Sequence, residues 1–432
     1  MASTTPTGSS FGDLLQKASV DMEKYETLYK HLHQNPELSN QEVKSAQTMK
    51  EQLSKFEAFD IITDIGGHGL VGILRNGPGK TVMLRADMDA LPVKEATGLP
   101  YASTATMLDA DGVDRPVMHA CGHDMHMTCL VAAAEALVRL KDSWSGTLIV
   151  LFQPAEERGT GAKAMVDDGL YTKHKVPVPD FVLGQHVVSM RAGSIGSKVG
   201  TLMAGADSMK ITLFGKGGHG SQPHRTIDPA VMAAYVVVRL QTIVSREINP
   251  ADISVLTVGM VQAGQTENVI ADHAVIGVDI RSVRPGTREK LLSSIRRIVK
   301  AECEASGSPV EPEFKMTRHL PNTVNDESMA KTLARSFSDH FGERFEPDIP
   351  TTSISEDFSV LATSQGKPCV FWHWGGVEEK LWDQMAKEGR TEDIPANHTA
   401  QFAPVIQPTM STGTEAFCVA ALTFFGGKTQ HN

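Results

Sequence analysis

The chain has 432 residues, 41% hydrophobic and 21% charged, so it exceeds one ordinary hydrophobic core and we expect more than one domain. Its formal net charge of −10 argues against a nucleic-acid partner, because neutralising phosphates needs a basic surface. The apolar runs are too short to cross a bilayer, and five cysteines make no disulfide framework, so we expect a cytoplasmic protein with no membrane partner.

The first part of the chain alternates helical and strand-like patterns. A helical pattern over residues 14–33 ends at the proline of NPEL. A further helix is predicted over 127–141, and strand-like runs lie at 81–87, 147–153, 181–184 and 368–372. This alternation predicts an α/β fold with a largely parallel sheet covered by helices on both faces.

The middle of the chain breaks that rhythm. Its patterns follow the order β-α-β-β-α-β of a ferredoxin-like unit, at 208–215, 229–247, 253–262, 274–283, 287–306 and 310–316. We therefore predict a discontinuous domain of residues 1–203 and 318–432, with an inserted domain at 204–317.

Residues 118–127, MHACGHDMHM, concentrate potential metal ligands. Cys121 and His123 flank one glycine just before a helix predicted to begin near Asp124, and in a turn both side chains can point the same way. A helix N-terminus favours the thiolate, the form of cysteine that binds metal. His126 would lie about one turn inside the helix, which favours a supporting role over ligation.

More candidate donors follow the ends of predicted strands. Glu156 and Glu157 come directly after the run at 147–153, and His186 follows the run at 181–184. Open α/β sheets bind their ligands at the carboxyl ends of the strands, so these side chains should meet there. His398 adds an imidazole from the turn-like stretch IPANHTAQFAP.

Together these donors suffice for a two-metal centre. The proposed ligands combine a thiol, imidazoles and a carboxylate: Cys121, His123, Glu157, His186 and His398. Mixed donors of this kind suit Zn²⁺, with Mn²⁺ or Co²⁺ as alternatives. Of two adjacent glutamates, one can bind metal while the other carries protons. A catalytic cysteine is disfavoured, because a metal-bound thiolate is not free to attack.

Several motifs in register resemble the amidohydrolase branch of metallopeptidase family 20, which includes aminoacylases, hippurate hydrolases and auxin-conjugate hydrolases. They are HLHQNPELSNQE, RADMDALP, MHACGHDMHM, FQPAEERGTGAKAMVDDG, GQHV, GKGGHGSQPH, SEDFS and NHTAQF. The resemblance implies the same five ligands and Glu156 as general base. In RAD, Arg85 takes the place of a metal-binding histidine, as in the Cys-ligand branch. Asp87 then either orients a ligand or forms a structural salt bridge.

The resemblance also assigns a role to the inserted domain as a lid or dimerisation domain. It implies that His219, in GKGGHGSQPH, faces the substrate carbonyl, and that Asn268 and Arg281 grip the substrate carboxylate. A surface role for Arg281 is an equal alternative. His224 and the aromatic run FWHW (371–374) are further pocket candidates.

The function predicted from the sequence is metal-dependent hydrolysis of the amide bond of a small N-acyl amino acid. A metallo-exopeptidase, either a dipeptidase or a carboxypeptidase, is the alternative on the same residues. A non-catalytic metal-binding protein is a remoter one, since no ligand and no base is missing. The oligomeric state stays open, with a homodimer through the lid domain as one option.

Overall fold

The computed structural model describes residues 10–427 as two compact units. Within that range, the first unit contains residues 10–202, 324–350 and 357–427. The second contains Met203–Thr323 and Thr351–Glu356. The predicted insertion at 204–317 lies inside the second unit.

The helices, in chain order, are α1 (Phe11–Lys17), α2 (Met22–Gln34), α3 (Val43–Ser54), α4 (His123–Arg139), α5 (Gly161–Asp167), α6 (Pro229–Arg246), α7 (Pro285–Ala305), α8 (Glu327–Phe341), α9 (Val360–Thr363), α10 (Glu379–Glu388) and α11 (Thr409–Phe424). In the part of the chain between residues 10 and 427, no helix is long and apolar enough to cross a membrane.

The strands, in chain order, are β1 (Asp60–Ile65), β2 (Gly69–Asn76), β3 (Thr81–Asp87), β4 (Thr106–Leu108), β5 (Asp114–Pro116), β6 (Trp144–Gln153), β7 (Phe181–Arg191), β8 (Ile195–Gly196), β9 (Gly200–Met203), β10 (Gly205–Phe214), β11 (Gly218–His219), β12 (Ser254–Ala263), β13 (Val269–Ile270), β14 (His273–Ser282), β15 (Glu313–Leu320), β16 (Thr323–Asn325), β17 (Phe345–Glu346), β18 (Cys369–Val377) and β19 (Gly426–Gly427).

The first unit is built on a sheet in the order β1-β2-β6-β3-β7-β18-β8-β17. Its central strands β6, β3, β7 and β18 run parallel, and antiparallel neighbours flank them. Strands β3 and β6 are buried almost throughout, and α4 and α11 pack against the sheet, as expected for parallel strands. The predicted α/β fold with a largely parallel central sheet is confirmed.

The end of β7 differs from the prediction and matters for the site. The strand does not stop near Gly184 but continues to Arg191, so His186 lies within it. Arg85 of β3 pairs with Gly184 of β7, which puts His186 level with Asp87, the last residue of β3. His186 therefore still lies where the neighbouring strand ends.

The second unit contains an antiparallel sheet in the order β12-β14-β10-β15. Its main elements follow the sequence β10-α6-β12-β14-α7-β15, which is the predicted β-α-β-β-α-β order. Alternate residues such as Ile211 and Ile276 pack with α6 and α7 in one core. Their neighbours, such as Ser208 and Asp279, therefore face the opposite side of the sheet.

The N-terminal helical pattern is interrupted. Instead of one helix over 14–33, the structure has α1 and α2, which are separated at Ala18–Asp21. The side chain of Asp21 accepts the N–H of Glu23 at 3.1 Å and begins α2, an N-cap that the apolar periodicity did not indicate.

Candidate metal centre

The predicted ligand side chains of the first unit converge. The Sγ of Cys121 lies 3.3 Å from the Nε2 atoms of both His186 and His398. The Nε2 of His123 lies 3.9 Å from Oε1 of Glu157, whose Oε2 lies 3.4 Å from Nε2 of His398. The second glutamate, Glu156, has its Oε2 4.0 Å from Nε2 of His123.

These separations fit donors that share metal ions. Two donors bound to one zinc at roughly 2.0–2.3 Å lie roughly 3.3–3.8 Å apart in tetrahedral geometry. Two overlapping groups, one of Cys121, His123 and His186 and one of Cys121, Glu157 and His398, have ligand atoms within 4.8 Å of one another. The donor set can therefore hold two divalent ions.

Buried atoms in the centre lack protein partners. Within residues 10–427, Nε2 of His123 and Oε1 of Glu157 are buried and make no hydrogen bond. Such atoms are costly unless something pairs with them. Burial opposes a charge on His123, but the carboxylate of Asp87 raises the pKa of that imidazole to about 10. The centre therefore favours positive charge, which a divalent cation supplies.

Ionisation of the Cys121 thiol depends on a bound cation. Burial and the carboxylates of Glu157 and Glu156 raise the pKa of Cys121 well above its ordinary value in the metal-free chain. A thiol that binds metal must lose its proton, so a bound cation and these carboxylates act on it in opposite directions.

Backbone geometry delivers Cys121 and His123 together. Helix α4 begins at His123, one residue earlier than predicted, and Gly122 caps it with a left-handed φ of 82°. A Cβ at Gly122 would lie 2.4 Å from Cγ1 of Val187. Only glycine both adopts this φ readily and lets the Cys121 loop pack against β7.

Each buried imidazole ligand is oriented by its second nitrogen. The Nδ1 of His123 donates to the backbone oxygen of Asp89 at 2.8 Å. The Nδ1 of His186 donates to the backbone oxygen of Val187 at 2.7 Å. Both bonds use Nδ1, so Nε2 is the nitrogen that remains for a metal ion.

Asp89 is a positioning residue that the sequence reasoning missed. Its Oδ1 accepts the N–H of Glu156 at 3.0 Å, its Oδ2 accepts the N–H of Glu157 at 3.1 Å, and Ser39 donates to Oδ2 at 2.6 Å. With the bond from His123, this residue connects both glutamates to a ligand of α4. Its only sequence signal was the position two residues after Asp87 in RADMD.

Asp87 forms the buried salt bridge that was one of the two roles left open for it. Its Oδ2 accepts from Arg85 at 2.7 Å, which is a buried salt bridge, and its Oδ1 accepts from Nδ1 of His126 at 2.5 Å. The Nε2 of His126 accepts the N–H of Val187 at 3.0 Å. Both nitrogens of His126 thus have hydrogen-bond partners, which favours the predicted supporting role over ligation.

The segment that carries His398 is held from two sides. The N–H of His398 donates to the oxygen of Ala120 at 2.8 Å, and its φ is 71°, in the left-handed region. Asn397 donates to the oxygens of Cys121 at 3.3 Å and Val187 at 3.0 Å. Asn397, which the sequence did not single out, thus joins the three segments that carry Cys121, His186 and His398.

The aromatic run FWHW is not a pocket. Phe371, Trp372 and Trp374 are buried in β18, and the indoles donate to Gln185 and to the backbone of Thr409. A central strand is covered on both faces, so every side chain of the run enters the core. The prediction that this run lines a substrate pocket was wrong.

In the second unit, the short pair β11–β13 brings two predicted substrate residues together. His219 pairs with Val269, and the N–H of Gly220 donates to the oxygen of Asn268 at 2.8 Å. The exposed His219 ring accepts the N–H of Ser221 at Nδ1, at 3.1 Å. In the neutral ring, Nε2–H is therefore the free donor.

The other two predicted substrate residues lie elsewhere in the second unit. Arg281, on β14, donates through Nε to Asp279 at 2.8 Å and through NH1 to Ser355 at 3.0 Å. His224 lies in the exposed turn Pro223–Arg225. The structure therefore groups His219 with Asn268, while Arg281 belongs to the main sheet of the unit.

Known proteins are similar to this chain in sequence and fold. The model of peptidase family M20/M25/M40 matches residues 83–401. The hippurate hydrolase of Campylobacter jejuni is 36% identical over 355 residues, covering 81% of this chain and 87% of that protein. Thermostable carboxypeptidase 2 of Saccharolobus solfataricus is 33% identical over 423 residues, covering 95% and 99%. The YXEP protein of Bacillus subtilis, described as a dinuclear metal-binding peptidase of the M20 family, superimposes with a TM-score of 0.71 at 26% identity, covering 93% and 97%.

The fold, the donor set and these similarities define the class as a metal-dependent hydrolase. The chain belongs to peptidase family M20/M25/M40. The family predicted from the motifs is confirmed, and the donor groups support two divalent ions.

We predict that Gly122→Ala weakens both metal binding and folding. The new methyl group meets Val187 on a left-handed backbone, which costs roughly 2–3 kcal/mol of unfolding free energy. The measurements are denaturant unfolding and metal content. Gly112→Ala is the control, because Gly112 has a φ of 75° but nothing within 4 Å of its Cβ. Equal losses in the two variants would contradict the packing argument.

We predict that Asp89→Asn lowers metal affinity by roughly 10–100-fold, the usual effect of losing a group that orients ligands. The amide –NH₂ would face one of the two glutamate N–H groups and could not accept it. Competition with a chelator measures the affinity. Ser39→Ala is the control, since it removes one bond to Asp89 but keeps both backbone bonds. Unchanged affinity in Asp89→Asn would remove Asp89 from the centre.

Proposed function

We propose that the protein hydrolyses the amide bond of N-acyl amino acids, releasing a carboxylate and a free amino acid. The observation that supports this most is the position of Glu156. It adjoins the ligand Glu157, is held by Asp89 and lies 4.0 Å from His123. A carboxylate beside a metal centre can transfer protons when its neighbour binds the metal.

The metal ions would be Zn²⁺, with Mn²⁺ or Co²⁺ as alternatives, because the donors mix a thiol, imidazoles and a carboxylate. When bound, they supply a lowered pKa for water and polarise the scissile carbonyl. The residues that would hold them are Cys121, His123, Glu157, His186 and His398.

Proton transfer falls to Glu156. Its carboxylate takes a proton from the attacking water and returns it to the leaving nitrogen, so the base becomes the acid in the second step. The water oxygen forms the new bond to the acyl carbon, and the C–N bond breaks. Asp89 holds the backbone of Glu156 during both transfers.

Residues of the second unit would bind the rest of the substrate. His219 has a free Nε2–H that suits the oxygen of the polarised carbonyl. Arg281 and Asn268 would hold the free carboxylate, since a guanidinium can bond both carboxylate oxygens. His224, in an exposed turn, is a further candidate for substrate contact.

A metallo-exopeptidase is the second candidate on the same residues. It is favoured by the 33% identity over 423 residues to a protein named carboxypeptidase. An N-acyl amino acid and the C-terminal residue of a peptide present the same amide and carboxylate. The shape of the acyl side of the pocket separates the two activities.

We predict that Glu156→Gln keeps its metal but loses roughly 10²–10⁴-fold in kcat, because the amide cannot accept the proton. The assay uses N-acyl amino acids, dipeptides and longer peptides, with metal counted in the same samples. Glu392→Gln, an exposed surface change, is the control.

The substrate panel decides between the candidates. Faster hydrolysis of N-acyl amino acids supports the amidohydrolase, and faster hydrolysis of peptides supports the exopeptidase. A metal-loaded wild type that hydrolyses none of them would overturn both. Full activity in Glu156→Gln would remove Glu156 as the base.

We also propose a homodimer formed through the second unit. Val231, Tyr235 and Val238 are 52%, 63% and 69% exposed and lie on one face of α6. Strand β12 pairs with β14 alone among residues 10–427, so its other edge can accept a second copy. Val238→Glu should then give a monomer by light scattering, whereas Val113→Glu, in the first unit, should not. A monomeric wild type would contradict the proposal.

A further inference from the structure

One face of the second unit's main sheet carries an excess of positive charge. It is the face opposite α6 and α7, as the alternation along β10 and β14 and the pairing of β15 with β10 show. Its charged residues are Lys210, Asp279, Arg281, Glu313, Lys315 and Arg318. Cations outnumber carboxylates here, although the chain as a whole has a net charge of −10.

Two guanidiniums on this face share one carboxylate. Oδ1 of Asp279 accepts from Nε of Arg281 at 2.8 Å, and its Oδ2 accepts from NH2 of Arg318 at 3.1 Å. Ser208 also donates to Oδ2, at 2.7 Å. Strand register makes this possible, because β10 lies between β14 and β15 and puts Ser208 beside both Asp279 and Arg318.

The carboxylate of this group is ionised. Partial burial opposes its charge, but the Ser208 hydroxyl and the Arg281 guanidinium hold the pKa of Asp279 below its ordinary value. Arg281 and Asp279 alone would form a neutral pair, with Nε of Arg281 already used. Arg318 gives the group of three a net charge of one positive unit.

The side chains of this group of three are only partly exposed to solvent. The side chains of Arg281, Arg318 and Asp279 are 25%, 24% and 30% exposed. Nε of Arg318 is buried without a hydrogen-bond partner among the described residues, so Asp279 compensates this guanidinium incompletely. A half-buried cation of this kind is stabilised when a bound ligand places an anionic group beside it.

We propose that Arg318 is a specificity-determining residue. It turns the neutral pair of Arg281 and Asp279 into a cationic group that matches one carboxylate, and so selects substrates with a free carboxylate over neutral amides. The inference rests on the proposed function, in which Arg281 holds that carboxylate. Asp279 and Ser355 are positioning residues, since they fix Nε and NH1 of Arg281.

The test measures binding in metal-loaded Glu156→Gln protein, so that the ligand stays intact. The probes are N-benzoylglycine and its neutral carboxamide, and the measurement is the Kd of each by calorimetry. We expect the Glu156→Gln parent to bind N-benzoylglycine more tightly than the carboxamide. Adding Arg318→Gln should raise the Kd of N-benzoylglycine about tenfold, the usual effect of losing a charged hydrogen bond. The carboxamide Kd should not change.

A variant that restores the charge distinguishes a role of Arg318 in ligand binding from a purely structural role. Arg318→Gln combined with Asp279→Asn again leaves one positive unit, and the asparagine oxygen can still accept from Arg281. We expect it to regain most of the lost affinity for N-benzoylglycine. Arg297→Gln is the matched control, because Arg297 lies on α7 and pairs with Glu247.

Each result decides the proposal. Equal weakening of both probes in Arg318→Gln, or no recovery in the double variant, would show a structural role. A parent that does not prefer the carboxylate would overturn the proposed selection as well. Hydrolysis by the wild type is assayed separately, so a protein that selects carboxylates but cleaves no substrate would overturn the proposed function alone.

Discussion

The carboxylate of Asp89 is the interaction on which the metal centre depends. It accepts the backbone N–H groups of two consecutive glutamates, while its own backbone oxygen orients His123. This single residue, two positions after the end of β3, thereby joins the segment after β6 to the first residue of α4. The parallel sheet brings these chain ends to one edge, but only such hydrogen bonds fix the donor atoms relative to one another.

Holding the candidate metal ligands close together concentrates charged groups that the protein's own side chains do not fully balance. Burial and the Asp87 carboxylate act in opposite directions on His123, and the carboxylate prevails, raising the pKa to about 10. The salt bridge between Arg85 and Asp87 offsets part of the local negative charge. Buried carboxylates and a thiol next to unpaired imidazole and carboxylate atoms are stable mainly when cations bind, so metal binding and folding should be coupled here.

Short motifs indicated the candidate donors, because several of these motifs lie next to the end of a strand or the start of a helix. Cys121 and His123 precede an apolar helix, and Glu156 follows an apolar strand. The length of β7 and the burial of FWHW were missed for a related reason. In the sequence, polar residues such as His186 and His373 suggest that a strand ends or is exposed. In these central strands, however, both residues are buried.

The substrate selection that we propose depends on a different kind of information. Asp279 and Arg318 are 39 residues apart, and their contact arises from the register of two strands against β10. No local pattern encodes that register. Relatives at 36% and 33% identity carry the names of a hippurate hydrolase and a carboxypeptidase, so similarity at this level does not determine the substrate. The metal centre resides in motifs that such relatives can share, whereas the charge on the sheet of the second unit can change by single substitutions that leave the centre intact. Selectivity can therefore diverge in this family while the hydrolytic residues stay the same.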